Sequence, residues 1–220
     1  MNRIILILLL TFFSLQMKAI YIDGIFYSVS TNGALVVRPP YEGYNYDYFT
    51  ESGVISIPDS IDNNGTTYPV IAIDYRAFYN CSGLISISLP NTLIAIGGEA
   101  FYGCKSLTSI TIPYPVTTIG SNAFDYCENL LDVTCLAITP PKMGDYRCLY
   151  PAYYMATLHV PERSEEAYKA TDWWSCFIDV VGDAEDYNPV SYQKDECDAN
   201  GDGEVNIADV NKVIDKILSK

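Results

Sequence analysis

The most regular feature of the chain is a set of apolar positions that returns every 23 residues. Aligning Ala77–Glu99 with Ala100–Asn122 gives ten identities in 23 positions. Phe78, Phe101 and Phe124 share one column, and Cys81, Cys104 and Cys127 another. Leu84, Leu107 and Leu130 form a third, and Ile87, Ile110 and Val133 a fourth. Ile73, Ile96 and Ile119 also align, as do Pro90 and Pro113. One such unit cannot bury its own apolar side chains. A fixed period in this range therefore implies stacked coils, in which each column becomes a continuous buried ladder. Within a coil, L-x-x-I-x-I alternates as a strand does, and Pro90 or Pro113 ends it. The second run, LIAIG or VTTIG, crosses back, and Gly97 or Gly120 turns the chain. The A-F-x-x-C-x-x-L stretch has helical spacing over about one turn, with Phe78, Cys81 and Leu84 on one side.

The flanks of the repeat carry their own signals. Upstream, Gly24–Val37 alternates on either side of Asn32-Gly33, a hairpin pattern. An incomplete coil at Val54–Tyr75 holds a longer polar turn at Asp62–Thr67. Downstream, Thr157–Pro161 repeats the strand-then-proline pattern. A short helix is predicted at Arg163–Thr171, followed by a strand at Phe177–Val181 and Gly182. These segments would cover the ends of the stack, where strand edges are otherwise open.

At the N-terminus, Met1–Ala19 reads as a secretory signal peptide, with Arg3 ahead of an unbroken apolar run at Ile4–Leu10. The run is short for a membrane anchor, and no later segment is long and apolar enough to span a bilayer. The organisation expected is a signal peptide (1–19), an N-terminal hairpin cap (20–53), the repeat stack with its C-terminal cap (54–182), a polar linker (183–194) and a small tail (195–220).

Composition narrows the function. The 220 residues carry 27 acids against 13 Lys and Arg, a formal charge of −14. That balance argues against nucleic acid as a partner. His159 is the single histidine, so any histidine-dependent hydrolytic centre would need it. Its mid-strand position predicts a structural or surface residue. The acids are scattered, and no repeat position sets two carboxylates on one face for glycosidase chemistry. The chain is therefore read as non-enzymatic. Seven cysteines are an odd count, so at least one thiol is free or bridges chains. Cys81, Cys104 and Cys127 are read as small apolar ladder residues, while the pairing of Cys135, Cys148, Cys176 and Cys197 is left open. Nineteen tyrosines include two clusters, Tyr41, Tyr44, Tyr46, Tyr48 with Phe49, and Tyr146, Tyr150, Tyr153, Tyr154. They are read either as end-cap packing or as binding contacts.

The tail carries the one motif with definite chemistry. Residues 198–209 read D-x-N-x-D-G with an acid at the twelfth place, the spacing of an EF-hand-type Ca²⁺ loop. Asp198, Asn200 and Asp202 would turn oxygens inward. Glu204 would offer its carbonyl, Asn206 a water, and Asp209 would close the shell. Gly203 permits the bend. Val210, Val213, Ile214, Ile217 and Leu218 then form one helical stripe, a candidate contact for a protein partner.

The repeat, written A-F-x-x-C-x-x-L-x-x-I-x-I-P-x-x-V-x-x-I-G over roughly residues 54–135, resembles the leucine-rich repeats of the BspA-like bacterial surface class. That resemblance implies a mainly β, right-handed leucine-rich-repeat solenoid with a parallel sheet and short helices. It also implies a secreted or surface-displayed protein that binds a protein or glycan ligand, often in adhesion. The tail resembles one repeat of a type I dockerin, with Asp209 at the closing place and no apolar entering helix. A dockerin normally carries two such repeats, and one is present here. This implies, as an alternative, a non-catalytic component of an extracellular polysaccharide-degrading assembly.

Overall fold

In a computed structural model of the chain, the residues described are 19–37, 53–150 and 152–184. The expected signal peptide up to Lys18, the Tyr41–Phe49 cluster and the tail with the expected Ca²⁺ loop lie outside them. The described chain is mainly β, with one short α-helix.

Strands β1 (Ala19–Ile22), β2 (Ile25–Ser30) and β3 (Gly33–Val36) come first. β4 (Val54–Ser56), β5 (Ser60–Asn63) and β6 (Thr66–Ile73) follow. The repeats supply β7 (Ser86–Ser88), β8 (Ala95–Ile96), β9 (Ser109–Ile112), β10 (Thr118–Ile119), β11 (Asp132–Cys135) and β12 (Lys142–Met143). β13 (Thr157–Pro161), α1 (Glu165–Lys169) and β14 (Asp179–Ala184) end the described chain.

Each coil contributes one strand to each of two parallel walls. β6, β8, β10 and β12 pair in parallel in one wall. In the other, β9, β11, β13 and β14 form a parallel sheet, with Ser109, Asp132, Thr157 and Asp179 in one row. β4 and β7 pair separately, and β7 lies against β9. Between the walls run the ladders that the sequence pattern implied. Phe78 stacks on Phe101 at 5.2 Å and Phe101 on Phe124 at 5.0 Å, with rings within 10° of parallel. The Leu84, Leu107, Leu130 and Ile87, Ile110, Val133 columns are buried throughout. In the following coil, Cys148 and Leu149 take the Ala-Phe places: the Phe124 amide donates to Cys148 as Phe101 does to Ala123.

The A-F-x-x-C-x-x-L stretch is not a helix. Arg76, Glu99 and Asn122 each have φ near +55°, and Asn80, Gly103 and Tyr126 repeat a positive φ four residues on. A left-handed residue breaks α-helix, so the stretch becomes consecutive turns. Ala77, Tyr79 and Cys81 amides donate three residues back within the coil, while Arg76, Phe78 and Asn80 donate to Gly98, Ala100 and Tyr102 of the next. Turn spacing and one helical turn place the same residues inward, and apolar periodicity cannot separate them.

Gly97, Gly120 and Gly144 mark where coils touch backbone to backbone. A Cβ on Gly120 would lie 2.3 Å from the Gly98 nitrogen and 2.7 Å from the Gly97 carbonyl carbon. No side chain fits that gap.

The upstream hairpin joins β2 to β3, and β3 runs parallel to β6 across a register shift, extending that wall. The polar turn is a second hairpin, β5–β6, closed by Asn64 and Gly65 at positive φ. Downstream, the helix is shorter than Arg163–Thr171: a 3-10 turn at Glu162–Ser164 leads into α1. The strand begins two residues later than the pattern suggested. It then runs on through Asp183 and Ala184, which the composition had assigned to the linker. Tyr168 and Trp174 anchor this region. The Tyr168 hydroxyl reaches the Ala137 carbonyl (2.8 Å) and the Cys135 sulfur (3.1 Å), and the Trp174 indole N–H donates to Pro141.

Candidate functional site

The wall containing β7, β9, β11, β13 and β14 turns every second side chain to solvent, because strand residues alternate faces. In register, its outer rows carry Ser109, Asp132, Thr157 and Asp179, then Thr111, Thr134, His159 and Val181, and Ser86 and Ser88 are the exposed residues of β7. Short hydroxyl side chains dominate, so the surface is shallow. Just ahead of the strands, Ile85, Leu131 and Ile178 are exposed, Leu131 by 54% and Ile178 by 69%. A hydroxyl-rich surface bordered by unburied aliphatics offers contact area but no enclosed pocket chemistry.

His159 sits in this face, as its mid-strand position implied. Its Nδ1 lies 2.7 Å from the Asp183 carboxylate, and its Nε2 lies 3.9 Å from Asp132. Both partners come from neighbouring strands more than twenty residues away. Neither was visible from the sequence pattern, and Asp183 stood in the expected linker. A His–Asp contact at this distance is one half of a nucleophile-activating triad. Here the second ring nitrogen faces another carboxylate rather than a hydroxyl or thiol. The two acids also address opposite nitrogens, so they do not converge on one metal. Among the described residues, no group of three or more His, Cys, Asp or Glu is arranged to hold a metal ion. Asp198, Asn200, Asp202, Glu204 and Asp209 lie outside the described residues.

The cysteine column is buried. Cys104, Cys127, Cys135 and Cys148 are buried free thiols, Cys81 is buried in the same column, and Cys176 is free and exposed. The Cys104 thiol donates to the Phe78 carbonyl at 3.3 Å, and Cys127 to Phe101 at 3.2 Å. Each thiol thus ties its coil to the one before. Burial pushes the Cys104 thiol well above its ordinary range, and Cys135 and Cys148 up to about 11. Such groups are poor nucleophiles and poor metal ligands, since both roles need thiolate.

A second feature lies along the turn edge, with Tyr79 and Tyr102 half-buried and Tyr75 and Tyr126 exposed. Tyr79 and Tyr102 stack at 4.9 Å and 8°, and Tyr126 follows Tyr102 at 5.1 Å and 46°. At one end, the Arg76 guanidinium sits over both Tyr75 (4.9 Å) and Tyr79 (4.7 Å), with its Nε 2.7 Å from Glu99. At the other, Arg147 lies over Tyr146 and donates to its hydroxyl, and Tyr146 meets Trp173 at 6.1 Å. Trp173 has φ +71°, a strained conformation for so large a residue. Asp125 replaces the tyrosine expected in the third coil. It is buried, accepts from the Tyr126 amide, and has its carboxyl raised above the usual range by desolvation.

The tyrosine cluster at 146–154 divides. Tyr153 is core, packed edge-on against Phe177. Tyr146, Tyr150 and Tyr154 are exposed. The Tyr79–Tyr102 pair was visible as an alignment identity. Its lateral continuation through Tyr126 was not, because that residue is one place out of column.

Residues 55–148 match the family described as BspA type leucine rich repeat region, in six copies. No curated protein matches the chain. Among solved structures, the fold is similar to a leucine-rich repeat protein from Bacteroides capillosus ATCC 29799, with 24% identity, a TM-score of 0.54, and coverage of 64% of this chain and 97% of that one. It is also similar to a leucine rich cell surface protein from Faecalibacterium prausnitzii A2-165, with 24% identity and a TM-score of 0.50. That match covers 74% of this chain and 42% of the other, so this chain spans less than half of that neighbour.

Proposed function

We propose that this chain, whose residues 55–148 carry BspA type repeats, is a secreted or cell-surface, non-enzymatic binding protein that mediates adhesion to a protein or to another cell. The observation that carries this reading is the outer face of the β9–β14 wall. It is broad, rich in hydroxyls and bordered by exposed Ile85, Leu131 and Ile178, with no pocket chemistry built around His159. Thr108 and Ala156 stand between them, so they dot the border of a broad face rather than form one apolar patch. The β1–β3 strands act as the N-terminal cap of the stack, and the region around Tyr168 and Trp174 as its C-terminal cap. A surface neighbour in F. prausnitzii and the signal-like N-terminus agree with an extracellular location.

The tail adds one Ca²⁺ site, with Asp198, Asn200, Asp202, Glu204 and Asp209 as ligands. Their chemistry fits, because Ca²⁺ takes hard oxygen donors on a short flexible loop. The same motif favours a second reading, in which the tail recruits the chain to a polysaccharide-degrading assembly.

Probing residues 20–220 against extracellular-matrix proteins and glycans in one array tests the first reading. Saturable binding to a protein is expected. Binding to neither class would overturn it. Capture of the chain by cohesin-type domains only when Ca²⁺ is present would establish the second.

A further inference from the structure

The tyrosine edge is not explained by the fold. The Phe78, Phe101, Phe124 ladder already fills the core beside it. The next residues in sequence, Tyr79 and Tyr102, point outward, where a small polar residue would serve the turn equally well. Yet the edge carries rings about one coil apart, continuing through Tyr126 at the far side of Tyr102.

The edge also shows what it accepts. Arg76 lies between the Tyr75 and Tyr79 rings, and Glu99 completes the seat with a carboxylate at 2.7 Å. The Tyr75 hydroxyl donates to the same Glu99. Arg147 repeats the pattern in part over Tyr146. Aromatic faces attract cations through the ring quadrupole, and guanidinium stacks on them readily. Between these two occupied seats, the Tyr102 and Tyr126 rings touch at 5.1 Å with a tilt of 46°, and Tyr126 stays exposed. No hydrogen bond to either hydroxyl forms within the described residues. The groups that raise the Tyr102 phenol, after its own burial, are Tyr126, Tyr79, Asp125 and Glu99. Aromatic rings and acids thus gather at Tyr102, with the Arg147 guanidinium within electrostatic reach of Asp125 and Tyr126 on the far side.

We propose that the Tyr79–Tyr102–Tyr126 edge is a docking surface for an arginine-bearing basic segment of a partner protein, whose guanidinium groups stack on the solvent-facing parts of these rings as Arg76 stacks on Tyr75 and Tyr79 within the chain. The formal charge of −14 draws such a segment in from solution. The rings then give the contact a selectivity that charge alone lacks. This surface is separate from the strand face. It rests on the adhesion reading only in that the chain works by binding.

The test is fluorescence anisotropy of labelled nona-arginine with residues 20–220, in saturating Ca²⁺ and about 0.3 M salt, where long-range attraction is screened. The Tyr102→Leu, Tyr126→Leu pair should bind about tenfold more weakly, and the matching Phe pair within about twofold of the native chain. Arg76→Ala should bind about threefold more tightly, because it vacates a seat that the chain fills itself. Nona-lysine should bind less well than nona-arginine. Equal binding by the native chain and the Leu pair would overturn the proposal and assign the attraction to net charge. Weaker or unchanged binding by Arg76→Ala would overturn it too, and that variant covers the case in which the Leu pair fails to fold. Tyrosine-dependent binding of neutral oligosaccharides in place of nona-arginine would also overturn it, making the edge a glycan site. Retained capture of an array partner alongside any of these failures would leave the adhesion reading standing.

Discussion

Replacing Leu107 by Ala in the middle coil should be far more damaging than replacing Cys104 by Ala three residues earlier. Leu107 is fully buried, with Leu84 and Leu130 in its column in the coils on either side. Three heavy atoms are lost, and stacked neighbours whose backbones are bonded coil to coil relax little into the gap. The expected cost is about 2–5 kcal/mol. Cys104 is equally buried, but Cys→Ala removes one sulfur and its weak bond to the Phe78 carbonyl. That carbonyl keeps the Cys81 amide at 3.2 Å, so no acceptor is orphaned, and the cost should be about 1 kcal/mol. For a domain of this size, 1 kcal/mol moves the melting temperature by roughly 2–4 °C. Thermal melts of residues 20–220 should thus fall by roughly 4–20 °C for Leu107→Ala and by roughly 2–4 °C for Cys104→Ala. A larger fall for Cys104→Ala would refute the reasoning, because it would mean that the cysteine column is bonded or ligated.

Gly120→Ala should destabilise by at least about 3 kcal/mol in urea unfolding, because the new Cβ meets the Gly98 backbone, whereas Gly65→Ala, with nothing within 4 Å, should cost about 1 kcal/mol for its left-handed φ. In thiol titration at pH 8, Cys81, Cys104, Cys127, Cys135 and Cys148 should stay silent in the folded chain and react in denaturant; rapid native labelling of any of the five contradicts the buried column. Burial raises the Asp125 carboxyl, so the folded chain holds that proton more tightly than the unfolded chain, and folding loses stability as pH rises through the window above the ordinary carboxylate value. Asp125→Asn, with Arg147 and Asp145 left in place, should therefore raise the melting temperature on the order of 1 °C at pH 7 and give no gain near pH 4; a loss at pH 7 would show that the carboxylate is needed charged. Calorimetry should give one saturable Ca²⁺ site per chain, abolished by Asp198→Ala with Asp202→Ala.

What was legible in the sequence was whatever the stack repeats. The Phe, Leu, Ile and Cys columns recur because each buried residue sits on its own equivalent, so one alignment located the core and both strands of the coil; it marked Gly97 and Gly120 as turns, and the close backbone approach there is visible only in the structure. Three things were not legible. The turn stretch was read as helical because its inward positions fit both periods, and only the positive φ at Arg76 and Glu99 separates them. Neither residue type advertises that conformation. The diagonal Asp183–His159–Asp132 contact depends on register across three strands and on how far β14 extends, and strand ends are the part a single sequence marks least well. The tyrosine edge was half visible as the Tyr79–Tyr102 identity. Its continuation uses Tyr126, which moves sideways because Asp125 takes the column position.

The binding-protein reading meets its most direct test on the strand face. Surface plasmon resonance would compare residues 20–220 with the Leu131→Asp, Ile178→Asp pair against a partner captured in the array. Both positions are exposed, so the melting temperature should stay within about 2 °C of the native value. Placing two carboxylates on the apolar border should weaken binding at least about tenfold. Undiminished binding by this pair, with the chain folded, would contradict the account.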